Sequence, residues 1–280
     1  MLGAVDDRTE RPCGMEIRIF SFGGGVQSMA AMVLSVQGKL PYTHFLFANV
    51  GNDSENPDTL AYMTDVAMPY ATQHNLILIE LTHTKHTSTL LESLTEDSSR
   101  IAIPIHLKGA GPGWRNCTHR WKIEVIDQWC RANAGATKQN RIPIGIGISI
   151  DEYQRMRSDD PEKDMYTKKE YPLIDLRISR QECTRIIASA GLPVPPKSSC
   201  WFCPYKSDYD WKNLAKQKPE LFAHAIALED TLNAKRKKYG NKDDVYLWNK
   251  QRPLRTINDD SIMDMFDDDQ MSCESGHCMT

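Results

Sequence analysis

No apolar run in these 280 residues approaches the ~20 needed to span a bilayer. Nor does an apolar signal core follow the charged start Met1–Glu10. These absences make membrane-spanning and secreted readings weak and the cytoplasm the expected compartment. Charge of one sign is also missing: 34 Lys+Arg stand against 37 Asp+Glu, a formal net charge of -3. A wholesale polycation is thereby excluded, leaving only local basic patches to meet phosphates. Cysteine is too sparse, at 8 residues, for a disulfide scaffold of this length. Without an export signal, the thiols are expected to be reduced, metal-ligating or catalytic. What is there is ordinary: 40% hydrophobic and 25% charged residues, enough for a sizeable core in one domain, or one domain with an appendage.

The order of segments points to an α/β chain. Ile17–Phe22 reads as a short apolar strand, followed by Gly23-Gly24-Gly25 and a helix-compatible run at Met29–Val36. Tyr42–Val50 and Leu76–Leu81 read as further strands, and Arg141–Ile150 as a fourth. Asn56-Pro57 offers an N-cap and a first-turn proline for a helix reaching Gln73. Lys122–Ala132 reads as helical, and Ser179 with Glu182 forms a capping box for a helix to Ala190. Alternating strands and helices imply a mostly parallel sheet covered on both faces. We therefore expect a loose tail over residues 1–14, an α/β domain over 15–190 and a smaller cysteine-bearing helical region over 191–280. That last region should hold helices at Asp210–Lys218 and Pro219–Lys238, then an acidic stretch.

The loop Ser21-Phe22-Gly23-Gly24-Gly25-Val26-Gln27-Ser28 lies where open α/β sheets bind ligands, at the carboxyl end of a strand. Glycines let backbone N–H groups approach a phosphate, and Ser21 and Ser28 add hydroxyl donors at a helix N-terminus. No Gly-Lys-Ser/Thr follows, so this is not a Walker loop. A glycine-rich turn without a ligand is the alternative.

At this loop the chain resembles the PP-loop ATP pyrophosphatases, within them the branch related to phosphoadenosine phosphosulfate reductases. Gly24-Gly25-Val26-Gln27-Ser28 matches the family's Gly-Gly-x-Asp-Ser with Gln27 in place of the aspartate. Asn49-Val50-Gly51-Asn52, followed by Glu55-Asn56-Pro57, stands where the branch has an Asp-Thr-Gly-like turn and an acid. Gly147 to Glu152, with Arg155 beyond, is similar to the third motif. The resemblance covers about residues 16–210. It implies a HUP-like parallel-sheet domain that binds ATP with Mg²⁺ through Ser21, Gly23, Gly24, Gly25, Gln27, Ser28, Asn49, Gly147 and Arg155. It leaves Asp151 and Glu152 as the acids to hold Mg²⁺ by bridging to phosphate; a solvated strand end is the other reading of that pair.

Cys200-Trp-Phe-Cys203 by itself reads as a redox dithiol, half a zinc site or half an iron–sulfur site. Cys117 lies upstream in Trp-Arg-Asn-Cys-Thr-His-Arg-Trp-Lys. The set is similar to the cysteines of sulfonucleotide reductases that carry a [4Fe–4S] cluster, with Thr118 in place of their second cysteine. This resemblance implies Cys117, Cys200 and Cys203 as three ligands, the fourth position being open or filled by Cys273 or Cys278. Zinc is the competing metal. Cys278 is also a candidate nucleophile, since those reductases attack with a mobile C-terminal cysteine. Cys130 and Cys183 fall on expected helices and read as core.

Arg115, Arg120 and Lys122 beside Cys117 are candidate phosphate contacts, and Trp114 and Trp121 candidate base-stacking rings. The basic run over residues 235–238 reads more simply as a solvated helix end. The expectation is an ATP-binding iron–sulfur enzyme that adenylates a substrate, a nucleobase among the candidates, and transfers sulfur to it. Its partners would be an adenine nucleotide, a nucleotide or nucleic-acid substrate and a sulfur donor. The alternatives are a sulfonucleotide reductase and a non-catalytic nucleotide- or nucleic-acid-binding Fe–S module.

Overall fold

The computed structural model describes residues 17–83 and 89–257. Its centre is a five-stranded parallel sheet built from β1 (Ile19–Ser21), β2 (His44–Asn49), β3 (Ile77–Thr82), β5 (Ile142–Ile146) and β6 (Thr167–Glu170). The spatial order is β3-β2-β1-β5-β6. From β1 the chain builds outward to one side through β2 and β3, and then to the other through β5 and β6. The switch point, where loops leave neighbouring strands in opposite directions and open a crevice, therefore falls between β1 and β5.

Alternation along the strands supplies both faces. Phe20, Phe45 and Phe47 pack with α1 (Val26–Val36) and with α8 (Arg180–Ser189). Ile19, Leu46 and Ala48 turn the other way, against Val125, Ile126 and Cys130 of α6 (Glu124–Asn133). Gly145 of β5 is required by close packing, since a Cβ there would stand 2.5 Å from the Phe20 ring.

The helix expected after Asn56 forms in three pieces. The Asn56 side chain accepts from Asp58 N–H and starts α2 (Pro57–Tyr62). A π turn (Met63–Ala67) follows, then α3 (Met68–Gln73). Pro69 lacks an N–H for the α ladder, and the wider turn before it absorbs that loss. At α8 the capping box forms as expected, Ser179 accepting from Glu182 N–H at 3.2 Å and Glu182 from Ser179 N–H at 2.7 Å.

Residues 191–257 do not build a core of their own. Trp201, Phe202, Trp211, Leu228 and Trp248 bury together with Leu90, Leu94, Ile103, Ile105 and Trp121. Those partners come from α4 (Leu90–Thr95), the loop through β4 (His106–Leu107), and a π turn (His119–Ile123) behind α5 (Asn116–Thr118). A short ladder repeats the connection, β4 pairing antiparallel with β7 (Val245–Tyr246). The core of residues 191–257 is thus shared with residues 89–121. The helices of residues 191–257 are α9 (Asp208–Gln217) and α10 (Pro219–Lys238), and the short α7 (Pro172–Asp175) precedes α8. In the basic end of α10 Lys235 turns inward, while Lys237 and Lys238 stay exposed as a solvated helix end. Lys235 is buried and donates to Leu94 C=O, and Lys238 pairs with Asp97. Among the described residues no helix is long and apolar enough to cross a membrane.

Candidate functional site

The glycine loop leaves β1 at the switch point and enters α1. Gly24 has φ +72°, a conformation that disfavours a side chain, and a Cβ there would lie 2.8 Å from Thr59 Cγ2. Gly25 is the N-cap of α1. Ser28 Oγ accepts from Gly25 N–H at 3.1 Å and donates to Gly25 C=O at 2.9 Å, fixing the first turn. Gly147, just past β5, packs on the same turn, with a Cβ there 3.4 Å from both Gln27 Cβ and Ser28 N. The glycine loop and the segment beginning at Gly147 therefore meet.

Gln27 is the hub between them. Its amide nitrogen donates to Glu152 Oε2 at 3.1 Å and to Ser149 Oγ at 3.4 Å, and its oxygen accepts from Arg180 Nη1 at 3.1 Å. Arg155 donates to the same Glu152 oxygen at 2.6 Å. Burial pushes the Glu152 carboxyl upward, and Arg155 and Arg180 oppose that shift. Asp151 is exposed and accepts Arg180 N–H on both oxygens, at 2.9 and 3.2 Å. The two acids thus stand beside the loop but are engaged within the chain, rather than presented together as ready Mg²⁺ ligands. The cause is local, because a neutral amide at position 27 donates to Glu152 where a carboxylate would repel it. Asn49 is likewise engaged. It donates to Asn52 Oδ1 at 2.7 Å and Glu80 Oε1 at 2.6 Å, and accepts from Gly51 N–H.

The cysteine motif is tied both to the glycine loop and to the loop after β2. Glu55 and Cys200 form a backbone bridge, and Trp201 Nε1 donates to Asp53 C=O at 2.6 Å. Two residues before Cys200, Ser198 lies so close to the glycine loop that a Cβ on Gly25 would sit 2.8 Å from its Oγ. Cys117, Cys200 and Cys203 then line one pocket, together with Arg115, Thr118 and Lys122. Thr118 and Lys122 also line an adjoining cavity of about 60 Å³ that reaches Ser21 at the end of β1. Beyond it lies a cleft of about 810 Å³, which shares Ile123, Asp127, Asp164 and Lys169 with that cavity.

Compared with known proteins, the chain matches no family model and no curated relative.

The electrostatics of the cysteine pocket are mixed. Burial pushes the Cys117 thiol up, while Arg115 and Lys122 pull it down. Arg115 donates to Thr118 Oγ1 at 2.8 Å and lies over the Tyr205 ring. Lys122 Nζ stands 3.8 Å from Glu55 Oε1, a buried carboxylate. Among the described residues no three His, Cys, Asp or Glu side chains converge as one metal ion requires. A tetrahedral zinc site, with Zn–S near 2.3 Å, asks for that convergence. A cluster does not, because each of its irons takes a separate thiolate. Three cysteine sulfurs on one pocket also lined by Arg115 and Lys122 are the donor type that either a zinc ion or an iron–sulfur cluster takes.

The remaining assignments divide. Cys130 and Cys183 are fully buried, and burial lifts each thiol to about 12. Trp121 is buried in the core rather than offered for stacking, and Arg120 lies over its ring at 5.2 Å instead of lining the pocket. Trp114 is 88% exposed. Cys273, Cys278 and the 1–14 segment fall outside the described residues. Sequence reasoning missed Arg180 and Ser198. Arg180 could have been suspected from its place behind the capping Ser179, whereas nothing local marks Ser198.

Proposed function

We propose that this is a HUP-like, PP-loop type enzyme that binds ATP over Gly23–Ser28 and adenylates a substrate for thiolation. The observation that carries the reading is the contact of Gly25 with Ser198. It is a close approach of the glycine loop to the turn that carries Cys200 and Cys203. The loop's N–H groups and the N-terminus of α1 would take the triphosphate, with Arg155 and Arg180 sharing its charge and Mg²⁺ arriving on the nucleotide. A substrate oxygen then attacks the α-phosphorus. The new P–O bond forms as the bond to pyrophosphate breaks, and the substrate's proton leaves to solvent. A sulfide-level donor displaces AMP from the activated carbon, a step that needs no net oxidation or reduction. The large cleft beside the Ser21 cavity is the approach we assign to the acceptor.

Cys117, Cys200 and Cys203 would hold a [4Fe–4S] cluster, with Cys273 as the proposed fourth ligand and Cys278 the alternative. When bound with its fourth position open, the cluster would supply a place for reduced sulfur next to the nucleotide; with Cys273 on the fourth iron, the sulfur comes from the separate donor. Arg115 and Lys122 keep that place cationic.

A second reading is favoured by Gln27 and Asn49. Both occupy positions where the resembled family has acids, and both are committed to internal hydrogen bonds. On that reading the protein binds the nucleotide without cleaving it. Calorimetry with ATP, followed by a pyrophosphate assay on anaerobic protein with nucleoside and RNA acceptors, separates the cases. The enzyme reading requires binding that Gly25→Val abolishes, and pyrophosphate release that depends on acceptor. Binding without pyrophosphate supports the second reading, sulfite release from a sulfonucleotide without ATP supports a reductase, and unchanged binding in Gly25→Val contradicts the loop assignment.

A further inference from the structure

Lys206 is buried, at 8% exposure, three residues beyond Cys203. Its backbone N–H donates to Cys203 C=O, closing the turn after the cysteine pair. Its ammonium donates to Ser199 Oγ at 3.2 Å and stands 5.9 Å from the centre of the Trp211 ring. Among the described residues no carboxylate pairs with it. The acids nearest in sequence are used elsewhere: Asp208 by Trp248 Nε1 and Lys250, Asp210 by Lys197 and Ser207. A buried ammonium without a counter-charge is strongly disfavoured, so such a group signals an anion that belongs beside it.

The acceptor of its hydrogen bond shows where that anion lies. Ser199 is itself buried and lines the pocket of Cys117, Cys200 and Cys203. Its oxygen accepts from Lys206, so its hydroxyl proton needs a different acceptor. Three thiolates would concentrate negative charge in that pocket, and Arg115 and Lys122 meet it only from the lining.

We infer that Lys206, acting through Ser199, is the buried counter-charge of the three-thiolate centre, a positioning residue that sets its reduction potential. The inference rests on the cluster reading of this pocket. A cation behind the sulfurs stabilises the form carrying one more electron, so its removal makes reduction harder.

The test is a redox titration of anaerobically purified full-length wild type, Lys206→Met, Lys206→Arg and Ser199→Ala, each with circular dichroism, iron and sulfide determinations. Lys206→Met keeps the packing on Trp211 and removes the charge. It should lower the equilibrium constant for one-electron reduction at least tenfold, which is about 59 mV towards negative potential. Lys206→Arg should restore most of that shift, and Ser199→Ala should move the potential in the same direction by less. Loss of the cluster from a folded Lys206→Met protein, with retention in Lys206→Arg, also supports the role. A loaded Lys206→Met protein at wild-type potential overturns it. Should Lys206→Met fail to fold, Ser199→Ala decides, an unmoved potential there overturning the inference. Wild-type protein without iron and sulfide removes the cluster reading and this inference with it.

Discussion

Gly24→Ala tests whether the glycine loop is built as described. Two costs add. Gly24 sits at φ +72°, where an L side chain costs roughly 1–2 kcal/mol. The new methyl would also stand 2.8 Å from Thr59 Cγ2 and 3.6 Å from the Phe47 ring. Both neighbours are buried, and overpacking of this kind costs roughly 1–3 kcal/mol. The sum is about 2–5 kcal/mol. Gly38 supplies the control, having φ +70° and open space within 4 Å of where a Cβ would stand, so Gly38→Ala should cost only about 1–2 kcal/mol. Thr59→Ser removes the clashing methyl at a cost of about 0.8 kcal/mol by itself. Combined with Gly24→Ala it should recover about 1–2 kcal/mol, a favourable coupling that neither single change shows. Equilibrium urea unfolding of the four proteins measures all of these terms. If Gly24→Ala costs no more than Gly38→Ala, or if Thr59→Ser gives no coupling, the close approach of loop and helix is wrong.

Iodoacetamide at pH 8 should leave Cys130 and Cys183 unmodified in native protein. With their thiols raised to about 12 by burial, the thiolate fraction is about one in ten thousand, and rapid labelling of either, read by peptide mass spectrometry, would refute their burial. Trp201→Phe should destabilise by about 1–3 kcal/mol, since it removes the 2.6 Å bond to Asp53 C=O; it should also raise the mobility of the Cys200–Cys203 turn, and an unchanged unfolding midpoint would contradict the tie. Burial pushes the Glu229 carboxyl up, against the N–H groups of Leu247 and Leu254 that it accepts. The folded state then holds that proton more tightly than the unfolded one, so this group's contribution to stability is fully present below about 4.3 and is lost as pH rises through the folded value. Glu229→Gln should flatten this part of the stability–pH curve, and a curve of unchanged slope would show that Glu229 does not contribute.

Much of the scaffold was legible because its signals are local. The Asn56-Pro57 start and the Ser179–Glu182 box each need only neighbours in sequence, and both form. The glycine loop was legible for the same reason. What escaped depends on distant packing. The edge strand β6 reads Thr-Lys-Lys-Glu, with no apolar alternation, and is a strand because its backbone pairs with β5. The helix α9 starts two residues earlier than the hydrophobic pattern suggests, because Ser207 caps it with Asp210. Trp121 looked like a ligand-facing ring beside Cys117, yet the π turn aims it into the shared core. In the candidate site, the residue types were readable but their commitments were not. Nothing in the order of residues says that Gln27 would bridge Glu152 and Arg180, or that Ser198 would reach Gly25.

Whether Cys117, Cys200 and Cys203 form a cluster-binding pocket against a nucleotide loop is tested most directly by the acid-labile sulfide content of anaerobically purified wild-type protein. About four sulfides, with about four irons, are expected per chain. Stoichiometric zinc without sulfide would contradict the cluster assignment.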